Sequence, residues 1–379
     1  MAAGVLALAA ALFPAQQALA HALLVTADPA PGSLMAAAPA TVVLHFSEPV
    51  TAAGAGLTVL APSGRLAGRG GARTAGAELS TALAGGEQGT YLVRWAVVSQ
   101  DTHPSRGQFT FSVGIRGPAP AGDDLGADVG AVSPAGLVLQ ALARWLHFCG
   151  LAMALGTVAF QVLVRPARDP RLDRLLLAGV AVLAAAEPVA LAAQAVSLGV
   201  APQDLVTTSF GRVLGLRLGG AFLLWTASGA VREAGRGRPL MLGLGAAIVF
   251  ADGLAGHRIV GVADLAAFAL GAVHEAAMAV WAGGLLAVMV VREGGRRFGR
   301  VALGCFLTLV ASGALLALAH LRGPGDLVNT AYGVVLAIKV VAVAAAALIA
   351  LLGARRIEAL ALSGVLVLAA LLVSLPPPR

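Results

Sequence analysis

The chain has 379 residues, 58% hydrophobic and only 12% charged, with a formal net charge of +7. An ordinary soluble domain carries about 25% charged residues, so this composition excludes a soluble protein over the whole length. The positive charge sits on arginines between apolar blocks, as membrane topology dictates, and nucleic acid is excluded as a partner.

Met1 to Ala20 reads as a signal peptide: Val5 to Phe13 is a short apolar core and Ala18-Leu19-Ala20 an A-x-A cleavage signal. An uncleaved anchor is the competing reading. Cleavage after Ala20 makes His21 the first residue, so that its α-amine and imidazole can chelate one metal in a single ring. Nitrogen donors of this kind suit copper(II) in a flattened geometry.

Residues 21–117 show short strands with Pro/Gly punctuation. Thr41 to Phe46 alternates and stops at Ser47-Glu48-Pro49; Leu57 to Leu60 runs into the turn Ala61-Pro62-Ser63-Gly64; Tyr91 to Val97 and Gln108 to Val113 follow. The expected fold is an all-β sandwich of cupredoxin- or Ig-like Greek-key type. Asp101 and His103 stand two apart in the loop between the last two strands, where both can point at one ion. With His21 they offer two imidazoles, an amine and a carboxylate, although an Asp-x-His pair also fits a solvated loop. His45 is expected to pack or face solvent and Glu48 to lie at the surface. Met35 is the domain's only methionine, so no methionine-rich copper(I) site is expected there.

Residues 118–133 have prolines, glycines and aspartates without apolar periodicity and read as a flexible linker. From 134 to 379 the chain falls into apolar blocks near the ~20 residues that cross a bilayer. Eight transmembrane helices are expected, over 135–164, 175–198, 211–231, 239–256, 262–291, 301–321, 331–353 and 357–375. An exported N-terminus makes the first, third, fifth and seventh loops cytoplasmic. These loops carry Arg165, Arg168, Arg171 and Arg174, then Arg232, Arg236 and Arg238, then Arg292, Arg296, Arg297 and Arg300, then Arg355 and Arg356. The expected topology is that of a multi-pass membrane protein with its N-terminal domain and C-terminus on the exported side.

Polar residues inside spans are costly, which makes them informative. His147 and His274 fall near mid-membrane, with Met278 one helical turn beyond His274; His257 and His320 fall near the outer helix ends. Imidazole and thioether at successive depths make a copper path, with His257 and His320 as an outer site and His147, His274 and Met278 as an inner one. Each histidine can instead be a hydrogen-bonding group between helices. Glu187, Asp252, Glu275, Arg144, Arg217 and Lys339 are further ionisable residues in or beside spans. Cys149 and Cys305 lie inside apolar blocks and read as buried small residues.

The run from His21 through Ser33, Leu44-His45-Phe46-Ser47-Glu48-Pro49-Val50, Gly89 to Trp95, Val98 to Pro104 and Gly107 to Phe111 resembles the CopC family nearly throughout the domain. That resemblance implies a periplasmic copper binder whose copper(II) ligands fall on His21, Asp101 and His103. Thr102 stands where the family usually has glycine. Arg144-Trp145-Leu146-His147, Thr208 to Arg212, Gly256-His257, His274 through Leu285, Ser312-Gly313 and Asn329 to Gly333 with Lys339 resemble the CopD family. That implies an inner-membrane protein of copper import or resistance.

The leading expectation is capture of periplasmic copper(II) and its import, with copper(I) in the membrane half, periplasmic copper chaperones as donors, and the lipid bilayer as the other partner. A haem-binding electron carrier or copper reductase with His147 and His274 as axial ligands is an alternative; sequestration without transport is another. No enzyme activity is expected. An oxidative copper enzyme would need an open coordination position, and Asp101 supplies a fourth ligand.

Overall fold

The computed structural model describes residues 22–100, 102–120, 134–166, 168–234, 237–256, 262–375 and 378. The expected signal peptide, His21, Asp101, most of the linker and His257 lie outside the described residues. The chain divides into two compact units. One comprises Leu19–Leu137 together with Leu191–Arg212; the other comprises Val138–Ala190 and Val213–Arg379.

In the first unit, eight strands form two four-stranded sheets. Their orders are β1-β3-β6-β5 and β2-β8-β7-β4, with β1 Leu24–Asp28, β2 Leu34–Met35, β3 Thr41–Phe46, β4 Val50–Leu60, β5 Gly68–Ala75, β6 Glu78–Leu83, β7 Gly89–Ser99 and β8 Pro104–Val113. The period-2 pattern explains the burial: Val42, Leu44 and Phe46 point inward from β3, while His45 between them faces solvent. They meet Leu79 of β6 and, from the second sheet, Val59, Val93, Trp95 and Phe111, in one apolar core. The second sheet is organised by the β7–β8 hairpin, paired from Gly89↔Val113 to Val98↔Pro104. Gly107 sits opposite Trp95 because the indole fills its side-chain space; an added Cβ would lie 2.3 Å from the ring. The four strand segments read from the sequence all fall within β3, β4, β7 and β8.

The remaining elements are helical. They are α1 Pro134–Leu151, a π-helical turn Ala152–Gly156, α2 Thr157–Leu163, α3 Pro170–Leu198, a 3-10 turn Pro202–Leu205, α4 Ser209–Ala234, α5 Arg238–Gly256, α6 Val262–Val291, α7 Gly295–His320, α8 Asp326–Asn329, α9 Ala331–Leu351 and α10 Arg355–Ser374. Among the described residues six helices are long and apolar enough to cross a membrane: Ala135–Leu163, Pro170–Leu198, Leu265–Val291, Gly295–His320, Ala331–Leu351 and Arg355–Ser374. This corrects the expected eight. The segments expected at 211–231 and 239–256 are helical, as α4 and α5, but do not qualify as spans. Arg217 and a run of glycine, serine and threonine dilute the hydropathy of α4. α5 is 19 residues long and carries Arg238 at its start and Asp252 near its end.

Within the second unit the helix backbones meet at glycines. A Cβ on Gly150 would lie 2.6 Å from Leu183 N, and one on Gly179 would lie 2.5 Å from Ala154 N, so α3 crosses α1 and the π turn in direct backbone contact. A Cβ on Gly156 would lie 2.4 Å from Ala279 O, and one on Gly283 would lie 1.7 Å from Ala152 O, which seats the π turn on α6. Small residues allow such approach where lipid supplies no hydrophobic drive for helices to associate. π turns inside helices recur at functional sites.

Candidate metal centre

These crossings carry ionisable side chains into the interior of the helical unit. His147 on α1 lies one turn before Gly150, Glu187 on α3 two turns beyond Gly179, and Glu275 on α6 one turn before Ala279. Asp252 arrives from α5 and Arg217 from α4. The imidazole of His147 is buried, with Nε2 at 2.9 Å from Asp252 Oδ2 and Nδ1 at 3.3 Å from Glu187 Oε1. Arg217 Nε donates to the other oxygen of Asp252. One ligand atom each from His147, Asp252 and Glu275 lie within 4.8 Å of one another, a spacing that can close on a metal ion. Glu187 Oε2 and Glu275 Oε1 are buried with no hydrogen-bond partner among the described residues. In a low-dielectric interior an unpartnered carboxylate oxygen is costly, and a proton, an ordered water or a metal cation would satisfy it.

The donor inventory constrains the chemistry. A neutral imidazole has one N–H, yet both nitrogens of His147 face carboxylates, so this arrangement holds a proton on the ring or on one of those carboxylates. The donors of the cluster are imidazole and carboxylate, a set that suits copper(II) and other borderline divalent ions better than copper(I), which prefers sulfur.

His274, beside Glu275 on α6, is oriented differently. Its Nδ1 lies 2.8 Å from Ser312 Oγ, and that hydroxyl lies 2.6 Å from the carbonyl of Thr308. The carbonyl can only accept, so Ser312 donates to it and accepts from His274 Nδ1–H, which leaves the lone pair on His274 Nε2. The same logic holds at His320, whose Nδ1 donates to Leu316 O at 2.7 Å and whose ring stacks on Tyr332. An imidazole fixed through Nδ1–H to a carbonyl or hydroxyl is the usual state of a histidine that ligates through Nε2. Met278 is partly buried one turn beyond His274. The sequence pairs His147 with His274; the structure gathers His147 with Asp252, Glu275 and Glu187 and turns His274 to Ser312. Asp252, Glu187 and Glu275 were visible in the sequence only as isolated charges in apolar blocks.

In the β-domain, His103 belongs to a tight turn between β7 and β8. Ser99 N donates to His103 O at 3.0 Å, His103 N donates to Ser99 Oγ at 3.1 Å, and Thr102 N donates to Ser99 O at 3.1 Å. The other two ligands expected with it, His21 and Asp101, are outside the described residues.

Comparison with known proteins bears on both halves. The CopC domain model matches residues 24–114, and the Copper resistance protein D model matches residues 292–364. The second match covers α7 to the middle of α10, C-terminal to all five residues of the His147 cluster. Copper resistance protein C of Pseudomonas syringae pv. tomato is 38% identical over 117 residues, which is 28% of this chain and 90% of that protein. Among solved structures, CopC from Methylosinus trichosporium OB3b is 31% identical, covers 24% of this chain and 93% of its own, and gives a TM-score of 0.23. PcoC, a methionine-rich copper resistance protein from Escherichia coli, is 31% identical over 25% of this chain and 99% of its own, with a TM-score of 0.21.

Proposed function

Because the chain belongs to the CopC/CopD copper-resistance family, a CopC domain fused to a CopD domain, we propose that it captures periplasmic copper(II) and carries copper inward through its helical unit. It is a multi-pass inner-membrane protein with a periplasmic N-terminal domain, it handles copper, and it is not an enzyme. The finer reading divides the chain into a signal peptide over 1–20, a copper-binding domain over 21–117 built as a Greek-key sandwich, a tether over 118–133 and a membrane domain over 134–379. An even number of spans after a periplasmic domain returns the C-terminus to the periplasm. His21, Asp101 and His103 bind copper(II); periplasmic chaperones supply it.

The observation that carries the membrane half of this reading is the cluster of His147, Asp252 and Glu275 in the helical interior, with the unpartnered oxygens Glu275 Oε1 and, beside it, Glu187 Oε2. Copper(II) matches those donors, while His274 Nε2 and Met278 form the softer station where copper(I) would pass, with His257 and His320 as the outer entry. The haem alternative has less behind it, because the structure groups His147 with the carboxylates of Asp252 and Glu187 and turns His274, the other expected axial ligand, to Ser312. Cellular copper accumulation tests the reading. His103→Ala should reduce uptake at low external copper, and His147→Ala should abolish it while copper(II) binding by the β-domain persists. Uptake unchanged in both His147→Ala and Asp252→Asn would leave sequestration as the function.

A further inference from the structure

The turn that carries His103 is held by more than its own sheet. Residues 191–212, the end of α3, the 3-10 turn and the start of α4, belong to the same compact unit as the β-domain. Two buried side chains from this hairpin reach the turn: Gln194 Nε2 donates to Thr102 O at 2.9 Å, and Ser209 Oγ donates to Ser99 O at 2.7 Å. Ser99 O thereby accepts from Ser209 and from Thr102 N together. Beside these bonds, Gly54 on β4 packs against Val200, where an added Cβ would lie 3.1 Å from Val200 Cγ1.

The residue at the centre of this contact has an unusual backbone. Thr102 has φ of 70°, one of only two non-glycine residues with positive φ among those described. A β-branched residue in the left-handed region is an outlier that persists only where its surroundings impose it. Glycine would adopt that conformation freely. The chain places threonine there and supplies, from a segment far along the sequence, a buried amide that binds the carbonyl of that same residue.

We propose that Gln194 and Ser209 are positioning residues for His103 of the β-domain: the α3–α4 hairpin holds the carbonyls of Ser99 and Thr102, and Ser99 in turn holds the backbone of His103, and this sets where that ligand stands. The inference rests on the reading of Asp101 and His103 as copper ligands. It makes the metal loop part of a docked assembly with the hairpin, so that copper(II) affinity depends on residues that a free-standing copper-binding domain would not possess.

The test uses the full-length chain in detergent, with copper(II) alone as the probe, followed by affinity and by the electron paramagnetic resonance spectrum of the bound ion. Gln194→Ala with Ser209→Ala should weaken copper(II) binding by about tenfold, the worth of one to two hydrogen bonds, and alter the spectrum. In the metal-free protein the same double variant should speed hydrogen exchange of the amides from Ser99 to Ser105. Adding Thr102→Gly should restore affinity and spectrum, because glycine holds the turn without the clamp. An unchanged affinity, spectrum and exchange rate in the double variant, alongside loss of binding in His103→Ala, overturns the positioning role and leaves the copper site standing. Weakened binding that Thr102→Gly does not restore also overturns it, since the two bonds would then serve only the packing of the hairpin. Binding untouched by His103→Ala overturns the reading of the loop itself, and the clamp with it.

Discussion

The β-domain and the helical unit both bury apolar clusters but differ in the charge they bury. The β-domain encloses a wholly apolar cluster, from Val42 and Leu44 through Trp95 and Phe111, and keeps its candidate ligand His103 on a loop. The helical unit encloses His147, Glu187 and Asp252 with Arg217, while Leu303, Leu307, Val310, Val341, Leu348 and Leu360 cover its outside. The difference follows from the solvent. Water drives apolar surface inward. Lipid is indifferent to it, and a polar group must then find its partners inside the protein. A cluster of charged side chains in the β-domain core would read as a packing fault, whereas in the helical unit it is the feature most in need of a function.

That contrast can be broken most directly at Asp252. Its carboxylate accepts from both His147 and Arg217, so Asp252→Ala strands the buried His147 and the half-buried Arg217. Removing one member of a buried ion pair costs about 3–5 kcal/mol; the thermal midpoint of the full chain in detergent should drop accordingly, and Asp252→Asn should recover most of the loss. A midpoint unmoved by Asp252→Ala would mean that water reaches the cluster and that the comparison fails. Next comes Gly283, where an added Cβ would meet Ala152 O at 1.7 Å, against Gly364, where it meets nothing within 4 Å. Gly283→Ala should cost at least the ~1–3 kcal/mol of an overpacked core, read by the same melt, and Gly364→Ala should be silent. Equal effects would show that helix contact there is not backbone to backbone.

The sequence was most legible where one periodicity controls one face. Thr41 to Phe46 announces both a strand and its buried side, and the observed β3 agrees. The apolar blocks likewise announce helices, but α4 and α5 show the limit, since being helical and being able to span are separate properties. The cluster was legible only in part. His147 stood out as a histidine in an apolar block, but its partners come from helices widely separated along the chain. Glu187, Asp252 and Glu275 carry no spacing that links them; glycine crossings bring them together. Thr102 was legible as an exchange for glycine, while Gln194, which binds its carbonyl, lies far off in a helix. Side chains that meet only through tertiary packing leave no local periodicity to read.

Smaller effects belong to the β-domain, where no charged residue is buried among those described. Tyr91 is buried and stacks on Phe111 at 5.0 Å, and its hydroxyl donates to Glu87 O at 2.9 Å. Tyr91→Phe keeps the stack and loses one hydrogen bond, so its cost should be about 1 kcal/mol in a denaturant or thermal melt. A loss several times larger would mean that polar contacts matter as much to this core as to the helical unit.

The smallest effect should be found at Arg65 and Glu87, an exposed pair at 2.9 Å. The Arg65 guanidinium, helped by the Ser63 hydroxyl, holds the Glu87 carboxyl below the usual carboxylate range. The sign follows from linkage: a carboxyl lowered in the folded state lends stability above its unfolded pKa and loses it as pH falls through the lowered folded pKa. Arg65→Ala should therefore flatten the acid limb of the melting curve slightly and leave neutral pH nearly unchanged, because exposed pairs are screened by water and salt. The comparison between the two regions is sharpest if the shift disappears in high salt while the Asp252→Ala loss does not. Salt reaches a charge at the rim of a sheet and does not reach one enclosed by helices in lipid.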